Sequence, residues 1–353
     1  MGTLHSTSYH LETAVKKHTP LALALAGLLA VSGIGTAIAV GDNEPPTPGQ
    51  TLSDYMGDDN DSQWDKVQTW IEAEYGEGAN PTPTTPAPTT PAPTTPAPEP
   101  TPPPTTGKGN TNGSGGAYTN RQFQSFSSAG MTSRYHVYAE GLDRSKPIGI
   151  MMYADGSGAH GFKNPGQSYL LGGPNGLIAV AKKHNLVLVV PEAPAPGCDR
   201  QDNCWYDRDL AVAANKATWS SNLMTQIKGQ YPIDLSRVVV GGYSSGAQWT
   251  TQTFLPAHGA NQSVDLAVAI AYGGAPRSRM NAPAAWKNDV VMVWDTGTAD
   301  PAYGTAFFEA RGGYNHYTSA GFNTHGVWPA GVTHSRGGQF GPIMDREISN
   351  RLR

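Results

Sequence analysis

VVVGGYSSGAQ, residues 238–248, is the stretch on which the reading of this chain turns. Three valines run into two glycines, a tyrosine, two serines and a third glycine. Residues this small also make ordinary turns, because Gly and Ser tolerate the backbone angles a turn demands. The flanks separate the two readings. Val238–Val240 suits a buried strand, and the residues from about Ser245 through GAQWTTQTFL carry a helical pattern. A strand, a G-x-S-x-G turn and a helix together lift a serine clear of a sheet. Side chains at 242 or 246 would crowd the neighbouring backbone. Only Ser244 has glycine two places away on each side, so Ser244 and not Ser245 is the expected nucleophile. The positive end of the helix would lie beneath any negative charge developing there.

Outward from the elbow the chain alternates strand and helix patterns. Strands are expected from Tyr135–Tyr138, at IGIMMYA (148–154), LVLVVPE (186–192), LAVAIAY (266–272), DVVMVW (289–294) and near Phe322–Trp328. Helices are expected at NGLIAVAKKHN (175–185), over Asp209 to Gln230, and in a closing segment with Ile343, Met344, Ile348 and Leu352 on one side. Near-continuous apolar strands separated by helices predict a mostly parallel sheet covered on both faces.

A serine hydroxyl needs a base, and the base needs an orienting acid. Asp300 lies on the loop after DVVMVW, where such an acid belongs, and Asp295, nearer the strand end, is the runner-up. His334, in WPAGVTHSRGG before the closing helix, is the expected base; His316 and His325 read as surface or packing residues. The order Ser–Asp–His along the chain is that of the α/β-hydrolase fold. An oxyanion hole needs two donors. One is the backbone N–H of Ser245, and the other comes from Asp155-Gly156-Ser157-Gly158, with Ser157 the expected donor. That loop lacks both a P-loop lysine and Rossmann glycine spacing, which argues against phosphate binding.

These residues resemble the α/β-hydrolase esterases related to polyhydroxybutyrate depolymerases and to the feruloyl and acetylxylan esterases of carbohydrate esterase family one. The resemblance covers about residues 150–353. It runs through IGIMMYADGSG, the VVPEAP strand end, Cys204-Trp205, Asp234-Leu235-Ser236-Arg237-Val238, Gly297-Thr298-Ala299-Asp300 and His334. It departs from the family at two places. The first oxyanion loop usually begins His-Gly and here begins Asp155-Gly156, while a common Ser-Ala-Gly-Gly elbow is Ser244-Ser245-Gly246-Ala247. By analogy Trp205 lines the acyl or alcohol pocket, with plain packing as the alternative. The resemblance implies carboxylic ester hydrolysis without metal or organic cofactor, on polysaccharide acyl esters or polyesters.

The 353 residues carry a formal net charge of −4, unevenly spread. Residues 42–79 hold ten acidic side chains against one lysine, whereas Ala117–Arg353 holds twenty Lys/Arg against sixteen Asp/Glu. Neither a basic stripe nor an acidic block marks the large domain, so nucleic acid is not an expected partner. Pro20–Gly41 is uncharged and predominantly apolar, and at about 1.5 Å per residue it can cross a bilayer core of roughly 30 Å. Lys16 and Lys17 before it keep residues 1–19 cytoplasmic and place the rest outside. The competing reading is a cleaved signal segment with a small-x-small site at Ala37-Ile38-Ala39. Both export the large domain. Residues 42–80 form an acidic segment in which Trp64, Val67, Trp70 and Ile71 share one helical face. From 81 to 116 TTPAP recurs three times before a Gly/Ser/Asn hinge, a stalk of polyproline type open to O-glycosylation. The hydrolase domain is placed at 117–353. In an exported chain the only two cysteines, Cys198 and Cys204, read as a disulfide.

The expected function is therefore that of an extracytoplasmic serine esterase, membrane-anchored through 20–41 or secreted. Two other readings fit the residues. One is an acyltransferase acting on cell-envelope sugars, the other a catalytically dead hydrolase scaffold used as a surface-binding module.

Overall fold

The computed structural model describes residues 108–114, 116–167, 170–195, 203–277, 280, 282–336 and 339–352. The expected membrane or signal segment, the acidic segment, the TTPAP repeats and Cys198 lie outside the described residues. Among the described residues no helix is long and apolar enough to cross a membrane.

Eight strands form one sheet: β1 (Arg121–Ser128), β2 (Met131–Tyr138), β3 (Ile148–Ala154), β4 (Leu186–Pro191), β5 (Ile233–Tyr243), β6 (Leu266–Ile270), β7 (Val291–Asp295) and β8 (Asn323–Val327). Their spatial order is β1-β2-β4-β3-β5-β6-β7-β8. β2 runs antiparallel to β1 and β4, and every pair from β4 to β8 is parallel. This is the expected α/β-hydrolase architecture.

The helices are α1 (His160–Lys163), α2 (Leu177–Lys183), α3 (Leu210–Gln230), α4 (Ser245–Gln248), α5 (Ala284–Asp289), α6 (Ala310–Ser319) and α7 (Phe340–Arg351). α4 continues without a break into a π-helical stretch, Trp249–Gly259. Two core clusters sit on opposite faces of the sheet, and the period-2 alternation of the strands divides the side chains between them. In β5, Val238 and Val240 join Trp219, Leu223 and Trp249 on one face; Val239 joins Leu177, Ile343 and Met344 on the other. Both faces are apolar because both are covered, which is why β3, β4 and β6 read as unbroken apolar runs. α3 is capped by Asp209, whose side chain accepts the amides of Ala211 and Val212 and satisfies two of the helix's open donors.

Register brings the site's loops to one edge. Ala154 pairs with Gly242, Tyr243 with Ile270, Ile270 with Asp295, and Asp295 with Val327. The loops after β3, β5, β7 and β8 therefore leave the same carboxyl edge side by side. The chain order reverses between β3 and β5, and open α/β sheets bind ligands at such a switch point.

Three expectations are corrected here. β2 starts at Met131, before Tyr135, and β1 precedes it. The strand expected at 289–294 begins only at Val291, since Asp289 closes α5. Residues 108–111, assigned from composition to the hinge, are bound to the domain: Thr111 donates its N–H to Ile233 O at 2.8 Å, Asn110 bridges to Asp234, and Lys108 pairs with Asp265 at 2.7 Å. The domain thus begins before Ala117, because backbone of any composition can pair with the start of β5 ahead of the stretch that β6 covers.

Candidate active site

Ser244 follows the last residue of β5 and precedes the first residue of α4. Its φ of 53° and ψ of −118° lie outside the regions open to most L-residues. Such a conformation costs on the order of 1–3 kcal/mol and persists only where the surroundings impose it. Here they do: Ser244 N donates to Ile270 O at 3.0 Å, and Gln248 N donates to Ser244 O at 3.0 Å. Both flanking glycines are sterically required. A Cβ on Gly242 would lie 2.4 Å from Gly246 C, and one on Gly246 would lie 2.1 Å from Ala154 O.

Asp300 and His334 meet because the loops that carry them are zipped together. Thr298 N donates to Pro329 O at 3.0 Å, Ala299 N to Val332 O at 3.1 Å, and Gly331 N to Thr298 Oγ1 at 2.9 Å. His334 Nδ1 then lies 3.0 Å from both carboxylate oxygens of Asp300, and its Nε2 lies 2.9 Å from Ser244 Oγ. Asp300 also accepts Ala302 N at 2.8 Å. Its side chain is fully buried, whereas that of His334 is 37% exposed, so the imidazole bridges a dry acid to an accessible hydroxyl. The arrangement requires Nδ1–H to donate to Asp300, which leaves the Nε2 lone pair to accept the Ser244 O–H. Tyr243 and Tyr272 flank the ring, with centroids 5.4 and 6.4 Å away.

The runner-up acid, Asp295, is occupied elsewhere. It ends β7 fully buried, paired with Arg336 and, at 2.6 Å, with Arg346; burial pushes its pKa up against those two cations. His316 lies on α6 and His325 on β8, away from the serine's bonding partners. Burial lowers His316 to about 4.

Among the two expected oxyanion residues, Ser245 is buried at the start of α4. In the 155–158 loop Gly156 N donates to Asp155 Oδ1 at 2.8 Å and Gly158 N to Asn203 O at 3.2 Å. Between these two glycines, Ser157 is the residue whose amide no bond to another described residue takes up. A Cβ built on Gly156 would lie 3.5 Å from Ser244 Cβ, which places the loop directly beside the elbow. Trp205 is 2% exposed and packs on Trp249 at 4.9 Å, so its ring belongs to the core; its amide reaches Ser245 Oγ at 3.5 Å. Cys204 is buried with Sγ 3.3 Å from Ser157 Oγ, while its expected partner Cys198 is not among the described residues.

The residues that sequence reasoning missed are those that brace the site. Lys216, fully buried in α3, donates to Cys204 O at 2.9 Å and to Asp207 at 3.1 Å, and burial lowers its pKa. Arg277 donates to the carbonyls of Asp207 and Arg208. A lysine inside a helical pattern gives no signal of its own, and only its tertiary partners reveal the role. Among the described residues no group of three or more His, Cys, Asp or Glu could hold a metal ion.

No family model and no curated protein matches the chain. Solved structures do resemble it in chain trace. A fungal esterase from Rhizomucor miehei matches at 11% identity and TM-score 0.44, over 65% of this chain and 82% of that one. The feruloyl esterase module from Clostridium thermocellum, complexed with sinapinate, matches at 18% identity and TM-score 0.44, over 65% and 88%. An S-formylglutathione hydrolase from Agrobacterium tumefaciens matches at 15% identity and TM-score 0.43, over 65% and 94%.

Proposed function

We propose that this domain is a serine carboxylic-ester hydrolase working through an acyl-enzyme. The observation that carries the reading is the continuous hydrogen-bond chain from Ser244 Oγ through His334 to Asp300, built on a serine held at φ 53°. Oγ attacks the ester carbonyl while His334 Nε2 takes its proton. Asp300 keeps the ring in the required tautomer and stabilises the imidazolium. The oxyanion of the tetrahedral intermediate is held by the amides of Ser245 and Ser157. Nε2 then protonates the departing alcohol, and a water molecule, deprotonated by the same nitrogen, releases the acid and restores Ser244.

The finer reading concerns the substrate. Among the described residues only α5 and connecting chain lie between β6 and β7, and the His334 side chain stands 37% exposed beside a half-buried Ser244. Such a site accepts esters carried on bulky or polymeric material, including acylated polysaccharide and polyester. The N-terminal sequence supports the same proposal, since an exported domain on a stalk meets extracellular polymers.

In the full-length chain Ser244→Ala is expected to lower p-nitrophenyl acetate turnover by about 10⁴–10⁶ while the thermal unfolding curve is retained. A fluorophosphonate is expected to add its mass to Ser244 of the wild type. Undiminished turnover in the variant would sink the assignment. An unlabelled wild type would favour the binding-module reading, and acyl products on an added sugar acceptor would redirect it to acyl transfer.

A further inference from the structure

Asp155 stands where the resembled family carries histidine, and the chemistry proposed above does not use it. It follows β3 directly and is 3% exposed. Among the described residues no cation forms a salt bridge with it. Its partners are instead three backbone amides: Oδ1 accepts Gly156 N at 2.8 Å, and Oδ2 accepts Gly161 N at 2.8 Å and Phe162 N at 3.2 Å. Burying a carboxylate without a salt-bridged cation is costly, and burial pushes its pKa up against the pull of those N–H bonds and, to a lesser degree, of nearby His160.

What these bonds hold is a strained turn. Gly158 has φ 86° and Ala159 has φ 49°, both left-handed, and alanine there is unfavourable by about 1–2 kcal/mol. The amides of the turn can be followed one by one. Gly156 N is taken by Asp155, Gly158 N by Asn203 O, and Ala159 N by Gly156 O at 3.0 Å. Among bonds between described residues, the amide of Ser157 is the remaining one. A carboxylate is suited to this task because it is acceptor-only, with two oxygens to share among several donors. The carboxamide of asparagine would turn an NH2 toward one of the N–H groups instead.

We propose that Asp155 is the positioning residue of the oxyanion loop: its carboxylate draws in the amides of Gly156, Gly161 and Phe162 and so leaves the Ser157 amide as the loop's donor to the oxyanion. Asp155 itself touches no substrate. The inference rests on the hydrolase reading above.

The test is Asp155→Asn in the full-length chain, with active sites counted by fluorophosphonate titration. Removing an oxyanion-hole donor costs about 10²–10³ in kcat; displacing one is expected to cost ~10- to 100-fold in kcat per titrated site, with KM within about twofold. Affinity for a trifluoromethyl ketone, whose adduct carries the oxyanion, is expected to fall by the same factor. A purely structural role would lower Tm and the titrated fraction but leave kcat per site alone. A folded variant with kcat per site within about twofold of wild type overturns the inference, as does a loss confined to KM with ketone affinity kept. Where the variant does not fold, amide hydrogen exchange in the wild type decides. Protected Gly156, Gly161 and Phe162 beside a fast-exchanging Ser157 support the assignment, and the reverse pattern refutes it. A wild type that does not react with the fluorophosphonate fails the hydrolase reading itself, whereas a reactive wild type with an unimpaired variant fails this inference alone.

Discussion

Replacing Gly246 by alanine probes the elbow where it is tightest. A Cβ there would sit 2.1 Å from Ala154 O and 2.8 Å from Asp155 O. A comfortable C···O approach is about 3.3 Å, so the methyl group lacks roughly 1 Å of room. Both obstacles are backbone, so no rotamer change relieves them; either the elbow or the oxyanion loop must move. Overpacking costs typically ~1–3 kcal/mol, and two backbone obstacles put this site at the upper end. At about 2–4 °C per kcal/mol for a domain of this size, Tm is expected to fall by roughly 6–12 °C. A misplacement of about 1 Å costs on the order of 10²-fold in rate, so kcat on p-nitrophenyl acetate is expected to fall ~100-fold in protein still folded at the assay temperature. Gly158→Ala is the comparison. A Cβ there meets nothing within 4 Å, and the cost is only that of a left-handed backbone, about 1–2 kcal/mol. Scanning fluorimetry and steady-state kinetics read both quantities. A Gly246→Ala protein with wild-type Tm and kcat would refute the steric account of the elbow.

The two acids at the end of β7 are separable by their losses. Asp300→Asn is expected to cost about 10⁴ in kcat through the wrong His334 tautomer with a modest change in Tm. Asp295→Asn leaves buried Arg336 without its carboxylate, while Arg346 keeps Glu347, and is expected to cost about 3–5 kcal/mol of stability while kcat per titrated site stays within ~10-fold; the opposite pattern reverses the assignment. Stability should also fall on acidification. Burial lowers His316 to about 4 from 6.5, so between those values the unfolded chain binds a proton that the folded chain excludes. The stability is complete above the unfolded value, declines as pH falls toward 4, and is down by about 2 kcal/mol at pH 5. His136 and His258 are lowered by burial in the same direction. His316→Gln is expected to flatten the drop in Tm between pH 7 and 5, and an unchanged slope would count against the burial argument.

The central strands were legible in the sequence, as were the three side chains that the structure joins by hydrogen bonds, Ser244, His334 and Asp300, and the reasons are physical. A strand covered on both faces must be apolar at every position, so β3, β4 and β6 announce themselves. β1 does not, because RQFQSFSS lies at the sheet edge and alternates between half-buried and exposed. α6 was missed because it carries two glycines, each unfavourable in a helix by about 1 kcal/mol. The fold needs them: a Cβ on Gly312 would lie 1.9 Å from Ala306 O, and one on Gly313 would lie 2.0 Å from Gly273 O. Tight packing overrode propensity, and packing cannot be read from a window of ten residues. The hinge assignment failed for a related reason. Gly, Asn and Thr at 109–112 look flexible, yet backbone hydrogen bonds to Ile233 and Leu235 hold the chain there.

Three buried aspartates at the carboxyl edge of the sheet show where sequence reasoning stops. Asp155, Asp295 and Asp300 all follow or end an apolar strand, and in the sequence only its place on the loop after β7 ranks Asp300 above Asp295. Each carries a charge that burial penalises, so each must be offset, and the nature of its partners separates the roles. Asp295 is offset by two arginines, a static arrangement that ties β7 to α7 and to Arg336, two residues beyond His334. Among the described residues Asp155 is hydrogen-bonded by backbone amides, with His160 adding a lesser favourable charge, and this fixes the shape of a loop. Asp300 has one amide and a half-exposed imidazole, so its principal partner can change charge when a proton arrives. Only this last environment is suited to a step in which an imidazolium forms and disappears. The partners come from chain segments 34 to 51 residues away for Asp300 and Asp295, beyond the reach of any local motif. Motif and strand order point to Ser244 and loop position to Asp300, and the physical ground for separating the three carboxylates is what neutralises each one.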